Sequence, residues 1–195
     1  MDIKTKAVIM LALLFIMAIT SGACTPKVEL PVLHEAPGFT LTNQDQLEVD
    51  LADSRGKVVV LNFIWTRCPT ICGEENYRLQ YVWEQLDDEL RQDLHFISVS
   101  FDPFDTIEVL KQFDAFYIVP EWQFLTGTEE QIHQVTDDYG VVYEWVYEEE
   151  VSEWRFSHNV VIVLIDRDGM VRKTYGDQYF PEEPMIRELE YLLKQ

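Results

Sequence analysis

The chain has 195 residues, of which 47% are hydrophobic and 13% aromatic, and its formal net charge is −20. The apolar content excludes a disordered chain, and about 170 residues beyond the N-terminal segment suffice for one domain with a substantial core. The negative charge argues against nucleic acid as a partner, because the phosphates would be repelled, and it favours basic partners or a raised local cation concentration.

The first 23 residues have the pattern of an export signal. Lys4 and Lys6 precede an apolar run from Ala7 to Thr20, which at 14 residues is short for a membrane span. The run leads through small residues to Cys24, in a pattern that resembles a bacterial lipobox. We therefore predict a lipoprotein signal over 1–23, lipidation of Cys24 and a domain at the extracytoplasmic face of the bacterial cell membrane. An ordinary cleaved signal and an uncleaved anchor are the alternatives, and in any of these cases thiols can oxidise.

The segment 24–37 is predicted to be a tether, because it contains three prolines and no helical period. A single domain is predicted over 38–195. It opens with a hairpin formed by residues 39–42 and 47–49, and a buried central strand follows over 57–65. The spacing of apolar residues then predicts a helix over 74–90 and a second buried strand over 94–101.

The second half of the chain continues the alternation of strands and helices. Helices are predicted over 107–116, 129–139 and 185–193, with Thr106 or Asp105 capping the first and Thr128 capping the second. Strands are predicted over 122–125 and 160–165, and the latter pairs with 170–175 in a hairpin. Residues 141–147 alternate and lead into an acidic turn, which indicates an inserted hairpin. This order predicts an α/β, thioredoxin-like fold with a central mixed β-sheet flanked by helices.

Two cysteines, Cys68 and Cys72, lie where the central strand leads into the next helix. Ligand and redox sites of open α/β sheets are found at such strand ends. Residues four apart on a helix share a face, with Cβ atoms roughly 5–6 Å apart, so the pair is able to form a disulfide or to hold one metal ion. The positive end of the helix and the neighbouring Arg67 are expected to lower the pKa of at least one thiol.

The spacing of the two thiols favours metal binding without deciding the question. Thioredoxin-type oxidoreductases use C-x-x-C, whereas the added residue here loosens the loop between the sulfurs. Two thiolates satisfy Cu(I), while structural zinc needs four ligands and the chain has no second cysteine pair. An inert disulfide would gain little stability from so short a loop. Thiol–disulfide exchange with Cys68 as the attacking thiolate, and a copper or redox sensor, remain alternatives.

A divalent ion requires a third ligand, and the four histidines are the candidates. His34 falls in the predicted tether, His95 within a strand and His133 on a helix. His158 precedes the strand 160–165, and it approaches the cysteines if that strand runs antiparallel to the central one. Periodicity gives His158 only a modest lead over the other three.

Four segments taken together resemble a known family. The run WTRCPTIC at 65–72 is similar to the motif T-x-C-P-x-x-C, and SVSFDPFDT at 98–106, WQFLTG at 122–127 and SHN at 157–159 followed by LIDRDG at 164–169 match further motifs. These are motifs of the Sco/SenC family, thioredoxin-fold copper-binding proteins of cytochrome c oxidase assembly. The order and spacing hold from about Ala36 to the C-terminus.

The resemblance implies a function as well as a fold. It identifies Cys68, Cys72 and His158 as ligands of Cu(I) and Cu(II), and it implies delivery of copper to the dinuclear site of cytochrome c oxidase subunit II. A copper chaperone of this kind is not an enzyme with a small substrate, although thiol–disulfide reductase activity at Cys68 and Cys72 remains the alternative. Departures from the family motifs, such as Gly73 in place of proline, leave the three ligands intact.

Overall fold

A computed structural model describes residues 28–68, 71–148, 153–177 and 179–195. The predicted signal over 1–23 and the lipidation site Cys24 lie outside the described residues. Within the described ranges, none of the helices combines the length and the apolar character that crossing a bilayer requires.

The described residues form ten strands and five α-helices. The strands are β1 (His34–Glu35), β2 (Thr40–Asn43), β3 (Glu48–Asp50), β4 (Val58–Ile64), β5 (Leu94–Ser100), β6 (Gln123–Thr126), β7 (Tyr143–Glu148), β8 (Glu153–His158), β9 (Ile162–Ile165) and β10 (Met170–Tyr175). The helices are α1 (Ile71–Gln85), α2 (Asp88–Arg91), α3 (Ile107–Asp114), α4 (Glu129–Asp138) and α5 (Glu182–Leu193), and a 3₁₀ turn covers Leu51–Ser54.

The main sheet is mixed, as predicted, and it brings several chain segments to one edge. Its strands follow the order β1-β10-β9-β4-β5-β6-β2-β3 among the described residues. Strands β4, β5 and β6 are parallel, so their carboxyl ends share one edge. Strand β9 is antiparallel to β4, with Ile162 opposite Asn62, so the chain enters β9 at that same edge. Strands β7 and β8 form the predicted inserted hairpin as a separate two-stranded sheet.

The core lies on both faces of this sheet, because β4 is buried along its whole length and its side chains alternate between the faces. On one face Val58, Val60 and Ile64 pack against α1 and α5. On the other face Leu61 and Phe63 pack against α4 and the residues at the base of the hairpin. Two apolar layers thus fix the position of β4, which carries the cysteine motif at its carboxyl end.

The helix boundaries follow local capping chemistry. The Thr106 side chain accepts from the backbone N–H of Val109, which makes Thr106 the cap of α3. Thr128 caps α4 in a reciprocal capping box with Gln131. The single helix predicted over 74–90 is two helices, because Asp87 adopts extended backbone angles and starts α2 as a new helix.

Part of the segment predicted as a tether lies against the domain. Leu30 is 8% exposed within the core, and the short strand β1 pairs with β10 at the edge of the sheet. Arg172 donates hydrogen bonds to the backbone carbonyls of Leu30 and Pro31. An edge strand tolerates the neighbouring prolines, since one side of it needs no ladder partner. The packed domain therefore begins near Leu30 instead of residue 38.

Candidate metal centre

Cys68 lies in the loop that leaves the carboxyl end of β4. Its side chain is half-buried, and its backbone N–H donates to the carbonyl of Trp65 at 3.1 Å. Cys68 itself is not helical, and the described part of helix α1 runs from Ile71 to Gln85, so the expected placement of both cysteines four residues apart on one helix is wrong. The physical reason is that a residue before proline, here Cys68, is disfavoured in helical conformation. Cys72 falls in the first turn of α1, and its side chain lies outside the described part of the structure.

A buried carboxylate anchors the loop that carries Cys68. The Thr66 hydroxyl donates to Asp105 at 2.5 Å, and the Thr66 backbone N–H donates to the same carboxylate at 3.3 Å. The Ser100 hydroxyl donates to it at 2.5 Å. Burial raises the pKa of Asp105, although the hydrogen bonds from Ser100 and Thr66 oppose that rise. Asp105 thus ties the end of β4 to the end of β5.

Arg67, which was expected to act on the thiols, is paired with another group. Its guanidinium donates two hydrogen bonds of 2.8 Å to Asp102, and it also lies 4.8 Å from the ring centre of Phe104. The Asp102 side chain is fully buried, whereas the Arg67 side chain is 49% exposed. Because Asp102 compensates the charge of Arg67, the reason for expecting Arg67 to lower a thiol pKa is lost.

His158 is the histidine that the structure places beside Cys68. It is the last residue of β8, and its Nδ1 lies 3.0 Å from the carbonyl oxygen of Asn159. A carbonyl only accepts, so Nδ1 carries the proton and Nε2 remains for a thiol or a metal ion. Burial alone lowers the pKa of His158, but hydrogen bonds with Cys68 and with the Asn159 carbonyl, together with the charges of Cys68 and Glu75, raise it above its ordinary value.

The base of the hairpin fixes the position of His158. The Asn159 amide oxygen accepts from the Val142 N–H at 2.8 Å, and its amide nitrogen donates to the Gly140 carbonyl at 3.0 Å. The ring of Phe101 lies 5.0 Å from the imidazole of His158, centre to centre. Asn159 therefore orients the ligand candidate through the chain, and Phe101 supports it from the main sheet.

The other three histidines lie elsewhere in the structure. His34 is exposed in β1 at the far edge of the sheet, and His95 in β5 lies 3.3 Å from the Ser54 hydroxyl. The His133 ring stacks on the ring of Tyr143, with 6.0 Å between the ring centres. The antiparallel pairing of β9 with β4, which was the basis for preferring His158, is confirmed.

A buried acid behind the thiol was missed at the level of the sequence. Glu75 in α1 is only 3% exposed, and its carboxylate accepts from the Asn62 amide at 2.8 Å. Burial raises the pKa of Glu75 to about 7, while the hydrogen bond from Asn62 and the charge of His158 lower it and the charge of Cys68 raises it. Glu75, Cys68 and His158 therefore influence one another electrostatically.

Asn62 connects this acid to the middle of the sheet. Its amide nitrogen also lies 2.9 Å from Asn76, and its oxygen accepts from the Ser98 hydroxyl at 2.5 Å. Ser98 accepts in turn from the Trp122 indole at 2.9 Å. The sequence does contain one indication of a buried polar partner such as Glu75. It is Asn62, a polar residue inside the apolar run VVVLNFI, which needs hydrogen-bond partners when it is buried.

Two of the three predicted ligands, the thiol of Cys68 and the imidazole of His158, are described and lie together. No group of three or more His, Cys, Asp or Glu residues able to hold an ion is found in the described part of the chain. The third predicted ligand, the thiol of Cys72, lies outside it. A donor set of sulfur and imidazole nitrogen suits copper or zinc and does not suit magnesium or calcium.

Fold and site together define an α/β protein with a thiol and an imidazole at the carboxyl edge of its sheet. The sequence model of the SCO1/SenC family matches residues 30–194, so the chain belongs to the SCO1/SenC family. It is 29% identical over 168 residues to the SCO1 protein homolog of Bacillus subtilis, covering 84% of this chain and 86% of that protein. It spans about half the length of the mitochondrial SCO2 relatives that it matches, for example 47% of the protein from Saccharomyces cerevisiae.

Three solved structures share the fold. Arabidopsis thaliana ScoI with copper bound is 25% identical, over 82% of this chain and 98% of that one, with a TM-score of 0.70. A SCO1/SenC family lipoprotein from Bacillus anthracis is 28% identical, with 85% and 99% covered and a TM-score of 0.68. BsSco, a Sco family cytochrome c oxidase assembly protein with a disulfide switch, is 27% identical, with 86% and 98% covered and a TM-score of 0.67. The predicted thioredoxin-like fold is confirmed.

Proposed function

We propose that this protein is a membrane-tethered copper chaperone that delivers copper to the dinuclear site of cytochrome c oxidase subunit II. Cys68 and Cys72 hold Cu(I) as thiolates, and His158 completes a Cys₂His site for Cu(II). The observation that carries the proposal is the hydrogen bond between Cys68 and His158 at the carboxyl edge of β4. The similar Arabidopsis thaliana ScoI has copper bound, which supports copper as the ion that is carried. BsSco is a cytochrome c oxidase assembly protein, which supports the oxidase as the recipient.

Binding of copper requires the release of protons from the ligands. Cys68 must lose its thiol proton, and any proton on Nε2 of His158 must leave before that nitrogen binds a metal. The raised pKa of His158 makes this proton harder to remove. The affinity for Cu(II) is therefore expected to increase as the pH rises through this pKa.

Copper titration tests the ligand set. We expect Cys68→Ser and Cys72→Ser to lose tight copper binding, and His158→Ala to lose the Cu(II)–thiolate absorption band while it keeps Cu(I). His133→Ala is the matched control, because His133 is exposed on α4 and its ring stacks on Tyr143. An unchanged absorption band in His158→Ala would show that His158 is not the third ligand. The metal content of the protein purified under anaerobic, reducing conditions tests the cargo itself.

Deletion of the gene tests the target. Oxidase activity is expected to fall in the deletion strain and to recover when copper is added to the medium. Activity that neither falls nor responds to copper would rule out the assembly role.

The membrane tether belongs to the same proposal. We propose that Cys24 is lipidated, and that the domain lies at the extracytoplasmic face; the related Bacillus anthracis lipoprotein supports this placement. Cys24→Ser is expected to move the protein from the membrane fraction to the soluble fraction. Mass spectrometry of the mature N-terminus would contradict lipidation if it found an unmodified residue there.

The second candidate is thiol–disulfide exchange, which the half-exposed thiol of Cys68 and the disulfide switch of BsSco favour. In this reaction Cys68 and Cys72 lose two electrons and two protons and form one S–S bond, while a disulfide of the target gains them as two thiols. The measured reduction potential and the rate of disulfide reduction separate the candidates. Rapid reduction of protein disulfides together with weak copper binding would favour the oxidoreductase.

A further inference from the structure

A groove opens beside the candidate metal centre, on the side away from α1. It has a volume of about 570 Å³ and lies at the carboxyl ends of β5 and β6. Its apolar floor comprises Phe101, Ile107, Ile132 and Tyr143. Gly127 lies in the wall of the groove, and it packs so closely that a Cβ at this position would lie 2.7 Å from a methyl group of Leu41.

The groove is continuous with the metal centre through one aromatic ring. Phe101 forms part of the groove floor, its ring centre is 4.8 Å from that of Tyr143, and the two rings are nearly parallel. The imidazole of His158 contacts the same Phe101 ring at 5.0 Å. An occupant of the groove would therefore lie one side chain away from the proposed copper ligand.

The rim of the groove carries negative charge that the groove itself does not neutralise. Glu129 and Glu144 are exposed at the rim, and no lysine or arginine is among the described residues that line it. The nearest partner of Glu129 is His133, 3.8 Å away. Asp102 and Asp105 lie deeper and are engaged by Arg67 and by Thr66, respectively. An apolar floor under an acidic rim is complementary to a cationic, partly apolar partner.

We propose that this groove docks a polypeptide segment in which lysine or arginine flanks an apolar side chain, on the protein that receives copper from this one. The apolar side chain fills the floor, and the cations pair with Glu129 and Glu144. A second copy of this chain is an unsuitable occupant, since each copy carries a net charge of −20. The identity of the partner rests on the proposed function, whereas the chemistry of the groove does not.

The groove is tested first on the metal-free protein, with two peptides as probes. Amide NMR shifts are followed while acetyl-Lys-Phe-Lys-amide or acetyl-Glu-Phe-Glu-amide is added at low salt. The cationic peptide is expected to shift Thr106, Gly127 and Glu144, and about 1 M salt is expected to remove most of the effect. Shifts that are equal for the two peptides, or that lie outside the groove, would overturn the proposal.

Charge reversal at the rim provides the second test. Glu129→Arg/Glu144→Arg is expected to abolish the shifts caused by the cationic peptide. The matched control is Asp53→Arg/Glu89→Arg, which reverses two exposed acids in the first turns of helices at the opposite edge of the sheet. It is expected to keep those shifts, and equal behaviour of the two double variants would refute the docking site.

Copper transfer to the copper-binding domain of oxidase subunit II links the groove to the function. At low salt, Glu129→Arg/Glu144→Arg is expected to transfer copper at least about tenfold more slowly than Asp53→Arg/Glu89→Arg, because charge complementarity acts mainly on the encounter rate. The copper affinity of the two double variants is expected to be the same. Equal transfer rates would reject the proposed partner. Absence of copper binding in the wild type would instead reject the proposed function. The peptide titration would still show whether the groove binds a cationic segment.

Discussion

The two described ligand candidates, Cys68 and His158, are held in different ways. Cys68 follows a strand that is buried on both faces, and Asp105 ties its loop to the adjacent strand. His158 ends a separate two-stranded hairpin, and its position depends on Asn159 and on ring contacts with Phe101. The thiol thus follows a strand in the buried centre of the main sheet, whereas the imidazole belongs to a separate hairpin.

This contrast suits a protein that must both bind and release a metal ion. A ligand on the rigid sheet keeps its place whether or not the ion is present, while a ligand on a hairpin is able to move with little cost to the core. Cu(I) is satisfied by two thiolates and needs the imidazole less than Cu(II) does. The hairpin is therefore the part of the site where release is expected to begin.

The largest effect is expected from removing Asp105, which holds the loop of Cys68 against the main sheet. Asp105→Ala leaves the hydroxyls of Thr66 and Ser100 and the Thr66 N–H without their acceptor, and is expected to lower the free energy of unfolding by about 4 kcal/mol. Chemical denaturation measures the change. Asp137→Ala, at an exposed site on α4, is the control and should stay within about 0.5 kcal/mol of the wild type. Similar losses in both variants would contradict the anchoring role.

The next effect concerns the pH dependence of stability, which Glu75 is expected to dominate. Its pKa rises from 4.5 to about 7 on folding, so the folded protein binds the proton more tightly than the unfolded chain does. The resulting stabilisation is complete below pH 4.5 and is lost as the pH rises through 7, by about 3 kcal/mol in total. Glu75→Gln keeps an acceptor for Asn62 and should remove this loss.

The measurement is a series of denaturation curves on the metal-free protein from pH 4 to pH 8, compared between wild type and variant. Glu74→Gln is the matched control, since Glu74 is the exposed neighbour on the same helix, and it should keep the slope of the wild type. A Glu75→Gln variant with an unchanged slope would show that another group dominates this pH range.

A smaller effect is expected at the base of the hairpin. Asn159→Ala removes two hydrogen bonds, to Val142 and Gly140, and should lower the Cu(II) affinity about tenfold by loosening His158. The Cu(I) affinity should change less, because the thiolates hold that ion. Competition titrations in the two oxidation states measure the difference, and Ser157→Ala is the exposed control on the other side of His158. Equal losses for Cu(I) and Cu(II) would argue against a movable imidazole.

The smallest effect is expected from the ring contacts of the hairpin. Tyr143→Phe loses the contacts of its hydroxyl with His133, at 3.3 Å, and with Thr136, and should change the free energy of unfolding by about 0.5 kcal/mol. Tyr143→Leu also loses the stacking on Phe101 and should cost about 1 kcal/mol. Thermal unfolding of the two variants side by side measures the difference. Equal destabilisation would show that the hydroxyl, and not the stacked ring, holds the hairpin.

Much of the fold follows from local patterns in the sequence. Alternating apolar residues, the turn at Asp168-Gly169 and the cap at Thr128 define elements that the structure confirms. The approach of His158 to the cysteine end also follows, because it depends only on the direction of β9 relative to β4. These inferences succeed because each rests on neighbouring residues or on one rule of sheet topology.

The remaining features depend on how distant segments meet. The pairing of Arg67 with Asp102 joins two loops 35 residues apart, and it removes the reason for expecting Arg67 to act on the thiols. The burial of Glu75 depends on the rotation of α1 against β4, which brings it to Asn62. Neither contact has a periodic signature. Polar residues inside apolar runs, such as Asn62, are the remaining indication that such partners exist.

The docking of Leu30 against the domain would limit how far a protein anchored at Cys24 extends from a membrane. Only five residues lie between Cys24 and Leu30, and the six Cα-to-Cα steps that join these two residues span about 20 Å in a fully extended chain. A free segment of the predicted length, from Cys24 to residue 37, would reach more than twice as far. With a lipid at Cys24, the domain would be confined to the surface of the bilayer. A copper-receiving partner would therefore have to present its own metal site close to the same surface.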